Sequence, residues 1–167
     1  DALSMEFKQY ITVATNLTDI LVADNRLFAL SSGWYDENNG WVQKDAGLYE
    51  FDDNGSKGLK CAATMATTNG GRNIYYINAP YGASTTSLGV YYVRSATSRT
   101  LATPAPSDSP VALGLSNTDY LLIGSNQLGD GGYPSYELPC YIMRYNISEG
   151  KTTKINTNLY GINRFVR

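Results

Sequence analysis

Carboxylates are the first candidates for catalysis in this sequence, because its 167 residues include no histidine and therefore no Ser–His or Cys–His pair. Two adjacent pairs occur, Asp36-Glu37 and Asp52-Asp53. A glycosidase needs two carboxyl groups about 5–9 Å apart across a cleft, whereas neighbouring residues of a strand point to opposite faces. Asp52-Asp53 also precedes Asn54-Gly55, a strong hairpin-turn signal, and aspartate is favoured in turns for local reasons. We therefore expect a protein that is not an enzyme.

Metal and phosphate sites find little support in the sequence. Two cysteines and no histidine cannot build the usual zinc sites or an iron–sulfur cluster. The segment 36–40 offers oxygen ligands but lacks the spacing of a calcium loop. The glycine-rich segment 129–132 is not followed by the Lys-Ser/Thr of a phosphate-binding loop. We expect no cofactor and no metal.

The charge balance and hydropathy exclude two classes of partner. Thirteen Lys and Arg residues stand against 15 Asp and Glu, so the net charge is −2. Such a chain has no positive field that would draw it to nucleic acid. No apolar run approaches the roughly 20 residues that span a bilayer, so we expect no membrane insertion. The start, Asp1-Ala2-Leu3, has no initiator Met, and we expect a processed piece of a longer protein.

The two cysteines leave two alternatives open. Cys61 and Cys140 both lie in segments that look like strands. In a secreted chain they could form a disulfide, which would close a long loop and constrain the unfolded state. Unpaired cysteines, however, are among the most buried residue types. Two buried free thiols are therefore the other reading.

Aromatic side chains in polar loops are the best candidates for a binding site. Tyr and Trp give contact area at low entropic cost, and Asn, Ser and Gly add adaptable hydrogen bonds. Sugars suit such loops because their C–H faces stack on rings, and protein receptors suit them equally well. The alternative for each tryptophan is that it folds back to cap the core. The expected ligand-binding residues are Trp34, Tyr35, Asn38 and Trp41 in loop 31–47, Tyr81 in loop 80–87, and Asp130, Tyr133 and Tyr136 in loop 126–139.

Short strands must position these loops. About ten apolar runs alternate with turns every 8–12 residues, and no helical spacing extends beyond two turns. This pattern predicts a single all-β domain over residues 1–167, an antiparallel β sandwich or barrel with long polar loops.

A repeat-like feature supports a partial β-propeller as the alternative fold. Similar apolar pairs recur at intervals of 47, 46 and 39 residues, close to the roughly 40–50 residues typical of propeller repeats. Three and a half repeats do not close a ring, so this fold would require a fragment or an oligomer. The pairs are Leu27-Phe28, Ile74-Tyr75, Tyr120-Leu121 and Leu159-Tyr160.

The segment Cys140–Tyr145, with a terminal Arg167, resembles the attachment heads of non-enveloped virus spikes, of the rotavirus or astrovirus kind. The resemblance implies a two-sheet, lectin-like sandwich on the virion surface that binds a host-cell glycan. The chain is also similar to propeller repeats of bacterial cell-surface proteins.

The expected function follows from the loops and this resemblance together. We expect a non-enzymatic extracellular recognition domain, most simply a viral attachment head, that binds a cell-surface glycan or protein receptor. A homodimer or a place in a larger assembly is compatible with this role. The alternative is a structural or interaction module of a bacterial surface protein, built on a propeller.

Overall fold

A computed structural model describes residues 7–117, 119–162 and 164–165, and the regular structure of these residues is almost entirely antiparallel β-strand. The all-β prediction is confirmed, and the described residues form no closed barrel. Three four-stranded sheets account for twelve strands, and a separate hairpin for two more. Sheet 1 contains β1 (Leu17–Ala23), β2 (Arg26–Ser31), β5 (Gly47–Asp52) and β6 (Gly55–Ala62). Sheet 2 contains β7 (Met65–Thr67), β8 (Asn73–Asn78), β9 (Ser87–Tyr92) and β10 (Thr97–Ala102). Sheet 3 contains β11 (Pro110–Leu115), β12 (Tyr120–Ser125), β13 (Tyr141–Asn146) and β14 (Thr152–Asn156), and the hairpin pairs β3 (Trp34–Asp36) with β4 (Val42–Lys44).

The apolar repeat of the sequence corresponds to equivalent strands of the three sheets. Leu27-Phe28 lies in β2, Ile74-Tyr75 in β8 and Tyr120-Leu121 in β12, and each of these is the second strand of its sheet. The fourth pair, Leu159-Tyr160, is exposed and belongs to no strand. Three successive four-stranded meanders match the arrangement expected for a partial propeller. The predicted two-sheet sandwich of about ten strands would have fewer strands and one sheet fewer than the described residues form.

Sheet 2 is buried on both faces because its side chains alternate between two cores. Ile74 and Tyr76 of β8 pack with Phe28 of sheet 1. Tyr75 and Ile77, on the opposite face of the same strand, pack against sheet 3. A strand buried on both faces has a continuous apolar run instead of an alternating one, which is how residues 74–77 read in the sequence.

The first strands of the three sheets lie around one groove. Its walls come from β1, β7 and β11, and it holds about 560 Å³. Each of these strands is an edge strand of its sheet. The three sheets therefore diverge from this groove, and their last strands, β6, β10 and β14, lie farthest from it. We call this arrangement the fan.

The end of the described chain packs on the outer face of sheet 3, the face turned away from sheet 2. A Cβ on Gly114 would lie 2.6 Å from the Phe165 side chain, and one on Gly124 would lie 2.8 Å from Ile162. These glycines therefore make room for the two apolar side chains. The terminal Arg167 and the start at Asp1 lie outside the described residues.

Both cysteines are free thiols, and each belongs to a different apolar cluster. Cys61 of β6 packs against the core between sheets 1 and 2. Cys140 is buried beside Ala112 and Ile162 at sheet 3, where its thiol donates to Asn126 Oδ1 at 3.3 Å. The structure agrees with two free thiols and not with a disulfide, with Cys140 buried and Cys61 half-buried.

The hydroxyl of Tyr91 is the natural target for a stability test. It is a buried side-chain polar atom without a hydrogen-bond partner, and its ring packs edge-on against Phe28 with centroids 6.0 Å apart. Removing an unsatisfied hydroxyl costs no hydrogen bond. We expect Tyr91→Phe to leave the free energy of unfolding unchanged or to raise it by up to about 1 kcal/mol, as measured by urea denaturation. Tyr145→Phe is the control, since its hydroxyl donates to Leu101 O at 3.3 Å, and it should lose about 1 kcal/mol. A Tyr91→Phe loss as large as the control's would contradict the assignment.

Burial raises the pKa of Cys61 to about 12. At pH 8 only ~1 thiol in 10,000 would then be ionised, and the thiolate is the reactive form. We expect iodoacetamide to leave Cys61 unmodified in the folded protein at pH 8 and to modify it fully in guanidinium, as read by peptide mass spectrometry. Rapid modification of the folded protein would show that the site opens to solvent.

Candidate functional site

Three long loops lie at one end of the fan, which we call the loop end. Each joins the second and third strands of its sheet: loop 32–46, which contains the β3–β4 hairpin, loop 79–86, and loop 126–140. Backbone hydrogen bonds run across this end from Ala105 N to Thr86 O at 3.2 Å, and from Asn126 N to Ser109 O at 3.1 Å. Because successive strands of a meander run in opposite directions, the loops between second and third strands of aligned sheets share one end.

The first loop is more ordered than the long polar loop expected from the sequence. β3 and β4 pair in the register Trp34↔Lys44 and Asp36↔Val42, around a single 3₁₀ turn at Glu37–Asn39. Trp41 has a positive φ of 62° and donates its N–H to Asp36 O at 2.9 Å. A positive φ is uncommon for a bulky residue, and here it follows Gly40, which is also left-handed with a φ of 68°.

Gln43 fastens this hairpin to the second loop. Its side-chain amide donates to Ser32 O at 2.7 Å and its Oε1 accepts from Tyr81 N at 3.0 Å. Its backbone N–H also donates to Tyr81 O at 3.2 Å. The sequence analysis missed this residue, because its partner is 38 positions away and nothing in the local pattern marks it.

The aromatic side chains of these two loops are exposed to solvent, and hydrogen bonds hold the loops that carry them. Trp34 donates its Nε1–H to Asp45 Oδ2 at 2.7 Å, and the rings of Tyr35 and Tyr81 meet edge to face with centroids 6.3 Å apart. Neither tryptophan caps the core, so that alternative is wrong. The exposed fractions are 44% for Trp34, 48% for Tyr35, 54% for Trp41 and 63% for Tyr81. Asn38 is exposed in the 3₁₀ turn beside them.

The third loop carries the remaining predicted residues at the same end but apart from this cluster. Gln127 Nε2 donates to Pro139 O at 2.7 Å, and Gly129 N donates to Tyr133 O at 2.8 Å. Asp130 is exposed, and Tyr133 and Tyr136 are among the most exposed tyrosines described. The structure thus brings Trp34, Tyr35, Trp41 and Tyr81 onto two joined loops and leaves Asp130, Tyr133 and Tyr136 on a third.

Several carboxylates form ion pairs away from the loop end. Asp24, in the turn between β1 and β2, accepts from Arg94 at 2.9 Å, and this hydrogen bond lowers the pKa of its carboxyl. Asp52 lies 2.6 Å from Lys57 Nζ, and that hydrogen bond lowers its pKa as well. A general acid needs a raised pKa, so these two aspartates are suited to holding turns together.

Comparison with known proteins reports on the fold alone. No family model matches the chain, and no curated protein matches it. A solved structure of a mutant of the Synechocystis apocarotenoid oxygenase is similar, with a TM-score of 0.51 and 14% identity over 88% of this chain. This chain spans about a third of that protein's length, 35%. The fold and site define the class of this chain: an all-β protein of three meander sheets with aromatic residues at one end.

Within the described ranges, no group of three or more Cys, Asp and Glu side chains is placed to hold a metal ion. Nor does the described part of the chain contain a helix long and apolar enough to cross a membrane.

The role assigned to Gln43 can be tested directly. We expect Gln43→Ala to speed amide hydrogen exchange in residues 34–44 and 80–82, because it removes the side-chain hydrogen bond with Tyr81 N that joins the loops and the bond to Ser32 O within the first loop. Gln127→Ala is the matched control, since it should loosen only loop 126–140. Unchanged exchange at 80–82 in Gln43→Ala would show that the two loops are held together by other contacts.

Proposed function

We propose that this chain is a non-enzymatic recognition module that binds a glycan through the loop end. The observation that carries the proposal is the four exposed rings Trp34, Tyr35, Trp41 and Tyr81, supported by backbone and side-chain hydrogen bonds on two joined loops. Rigid aromatic surface supports stacking of sugar rings, because little conformational entropy is lost on binding. Exposed amide and carboxylate groups beside the rings, such as Asn38 and Glu37, offer hydrogen bonds to hydroxyl groups.

An extracellular location, on a cell or a virion, is part of the same proposal. It derives from the low charged fraction, 17%, and from the abundance of Tyr. The ligand would then be a cell-surface glycan, and attachment to a host cell is one setting in which such a module would act.

A second candidate function is an interaction module of propeller type. The observation that favours it is the fan of three meanders, whose first strands line one groove. Such a unit would contribute sheets to a larger ring, and the loop end would then be one face of that ring. This role and glycan binding are compatible in one molecule.

A glycan array with the purified chain tests the first proposal. We expect saturable binding of a restricted set of glycans, reduced about 10-fold or more by Trp41→Ala and by Tyr81→Ala, because each removes a stacking surface. Tyr10→Ala is the matched control: Tyr10 is 92% exposed and follows Gln9, whose side chain reaches Asp53 O at the opposite end of sheet 1.

The third loop is tested in the same experiment with Tyr133→Ala. Loss of binding in this variant alone would move the site from the joined loops to loop 126–140. Absence of binding to every glycan, with a folded protein, would reject the glycan proposal.

A further inference from the structure

Charge is distributed unevenly between the two ends of the fan. The loop end has six acidic side chains and one basic one in its connecting segments, which are residues 32–46, 79–86, 103–109 and 126–140. The turns at the opposite end, between first and second strands and between third and fourth strands, have four acidic and three basic side chains. The net charge of −2 for the whole chain therefore conceals an acidic loop end. The side chains concerned are Asp36, Glu37, Asp45, Asp108, Asp130 and Glu137, and the basic residue is Lys44.

The carboxylates of the loop end are not neutralised by ion pairs. The five ion pairs found in the described part of the chain all lie elsewhere, in sheet 1 or at the opposite end. Asp24 with Arg94, 2.9 Å apart, and Glu149 with Lys151, 3.2 Å apart, are two of them. The charge of the opposite end is therefore largely cancelled locally, whereas that of the loop end acts on whatever approaches from solvent.

Three of the six carboxylates belong to the hairpin that carries the exposed rings. Asp45 Oδ2 accepts from Trp34 Nε1 at 2.7 Å, so one carboxylate touches the edge of an indole ring. Asp36 is the residue whose carbonyl accepts from Trp41 N at 2.9 Å, and Glu37 follows it in the 3₁₀ turn. The negative charge thus lies within the ring cluster itself.

Two cations are close to this end and do not reverse its sign. Lys44 is half-buried and pairs across the hairpin with Trp34, where it offsets one of the three hairpin carboxylates. Arg164 lines the groove between the first strands, but Asp19 lines the same groove. The surroundings of the rings therefore remain negative.

We propose that the loop end selects uncharged glycans and rejects glycans that carry sialic acid, sulfate or uronic acid groups. The rings are the binding surface, and they accept the C–H face of a sugar whatever its charge. The carboxylates around the rings discriminate, because like charges repel over the roughly 8 Å that salt leaves unscreened at physiological ionic strength. This inference rests on the first proposed function and deepens it by naming the class of glycan.

A glycan array on which each neutral glycan is printed beside its sialylated and sulfated forms tests the selectivity. We expect the neutral member of each bound pair to bind about 5-fold more tightly or better at low salt. The ratio should shrink in ~0.5 M NaCl, because salt screens the repulsion between exposed charges. Equal or tighter binding of the charged members at low salt would overturn the proposal.

Removal of the hairpin charges should relax the selectivity. In the double variant Asp36→Asn with Glu37→Gln, we expect the ratio of neutral to anionic affinity to fall about 3-fold or more. Asp36 makes no side-chain cap to the 3₁₀ turn, so its replacement costs the hairpin no hydrogen bond there. Asp53→Asn with Glu149→Gln is the matched control, since it removes two exposed carboxylates at the opposite end. A control that changed the ratio as much as the hairpin variant would show that net charge, and not the loop end, sets the selectivity.

Tryptophan fluorescence gives a test that needs no glycan. The sequence has two tryptophans, Trp34 and Trp41, and both are exposed at the loop end, so their emission reports on this end alone. With N-acetyltryptophanamide as the reference, we expect iodide to quench about 2-fold or more less efficiently than neutral acrylamide predicts, because the carboxylates repel the anion. The hairpin variant should recover much of the iodide quenching. Iodide quenching of the native protein as efficient as acrylamide predicts would overturn the proposal.

The two measurements separate failure of this inference from failure of the recognition proposal. Binding of charged glycans together with ordinary iodide quenching would overturn the selectivity and leave recognition standing. Absence of binding to every glycan, together with weak iodide quenching, would reject recognition and with it the selectivity, although the acidic loop end itself would be confirmed.

Discussion

Burial of sheet 2 on both faces is the constraint on which this structure depends. Its strands β8 and β9 supply Ile74 and Tyr91 to one core and Ile77 and Val90 to the other. Each such side chain contributes roughly 1.5–3 kcal/mol when it leaves water. Burial of the two faces of sheet 2 requires two different neighbouring sheets. Sheets 1 and 3 must therefore flank sheet 2 and cannot fold onto each other as a two-layer sandwich. The groove at the first strands follows from this order, because three sheets that stack through their faces bring their inner edges together.

The same stacking separates the molecule into two functional ends. Turns between the first and second strands, and between the third and fourth, gather at one end, where Arg94 bridges to Asp24 across two sheets. The loops between second and third strands gather at the other end, where Gln43 holds Tyr81. Turns at the first end are short, since each closes adjacent strands of one sheet. The loop end bears the long insertions and most of the exposed aromatic side chains.

Local patterns predicted the parts of this fold that depend on near neighbours. The hairpin at Asp52–Gly55 lies where the turn residues predicted it, although Gly55 pairs with Asp52 and residues 53–54 form the turn. The apolar run 74–77 follows from burial on two faces. Three of the four repeated pairs are second strands. The fourth, Leu159-Tyr160, lies outside the strands of the described residues: Leu159 O accepts from Cys140 N at 2.6 Å, but a strand needs a ladder of such bonds. The aromatic site residues were predicted by type, but their division between two joined loops and a third was not. That division depends on contacts such as Gln43 with Tyr81, which no local pattern encodes.

Exposed apolar residues have two different causes in this chain, and the distinction matters for function. At the loop end, Trp34 and Tyr35 have polar anchors or ring partners, and their exposure is the consequence of a hairpin held away from the core. On sheet 1, Val22 and Leu59 are exposed on the face turned away from sheet 2, while the opposite face of the same strands is buried. A recognition surface must stay open to be used, whereas a strand face of this composition gains free energy from being covered. The proposed recognition therefore depends on the loops, whose rings are held away from the core.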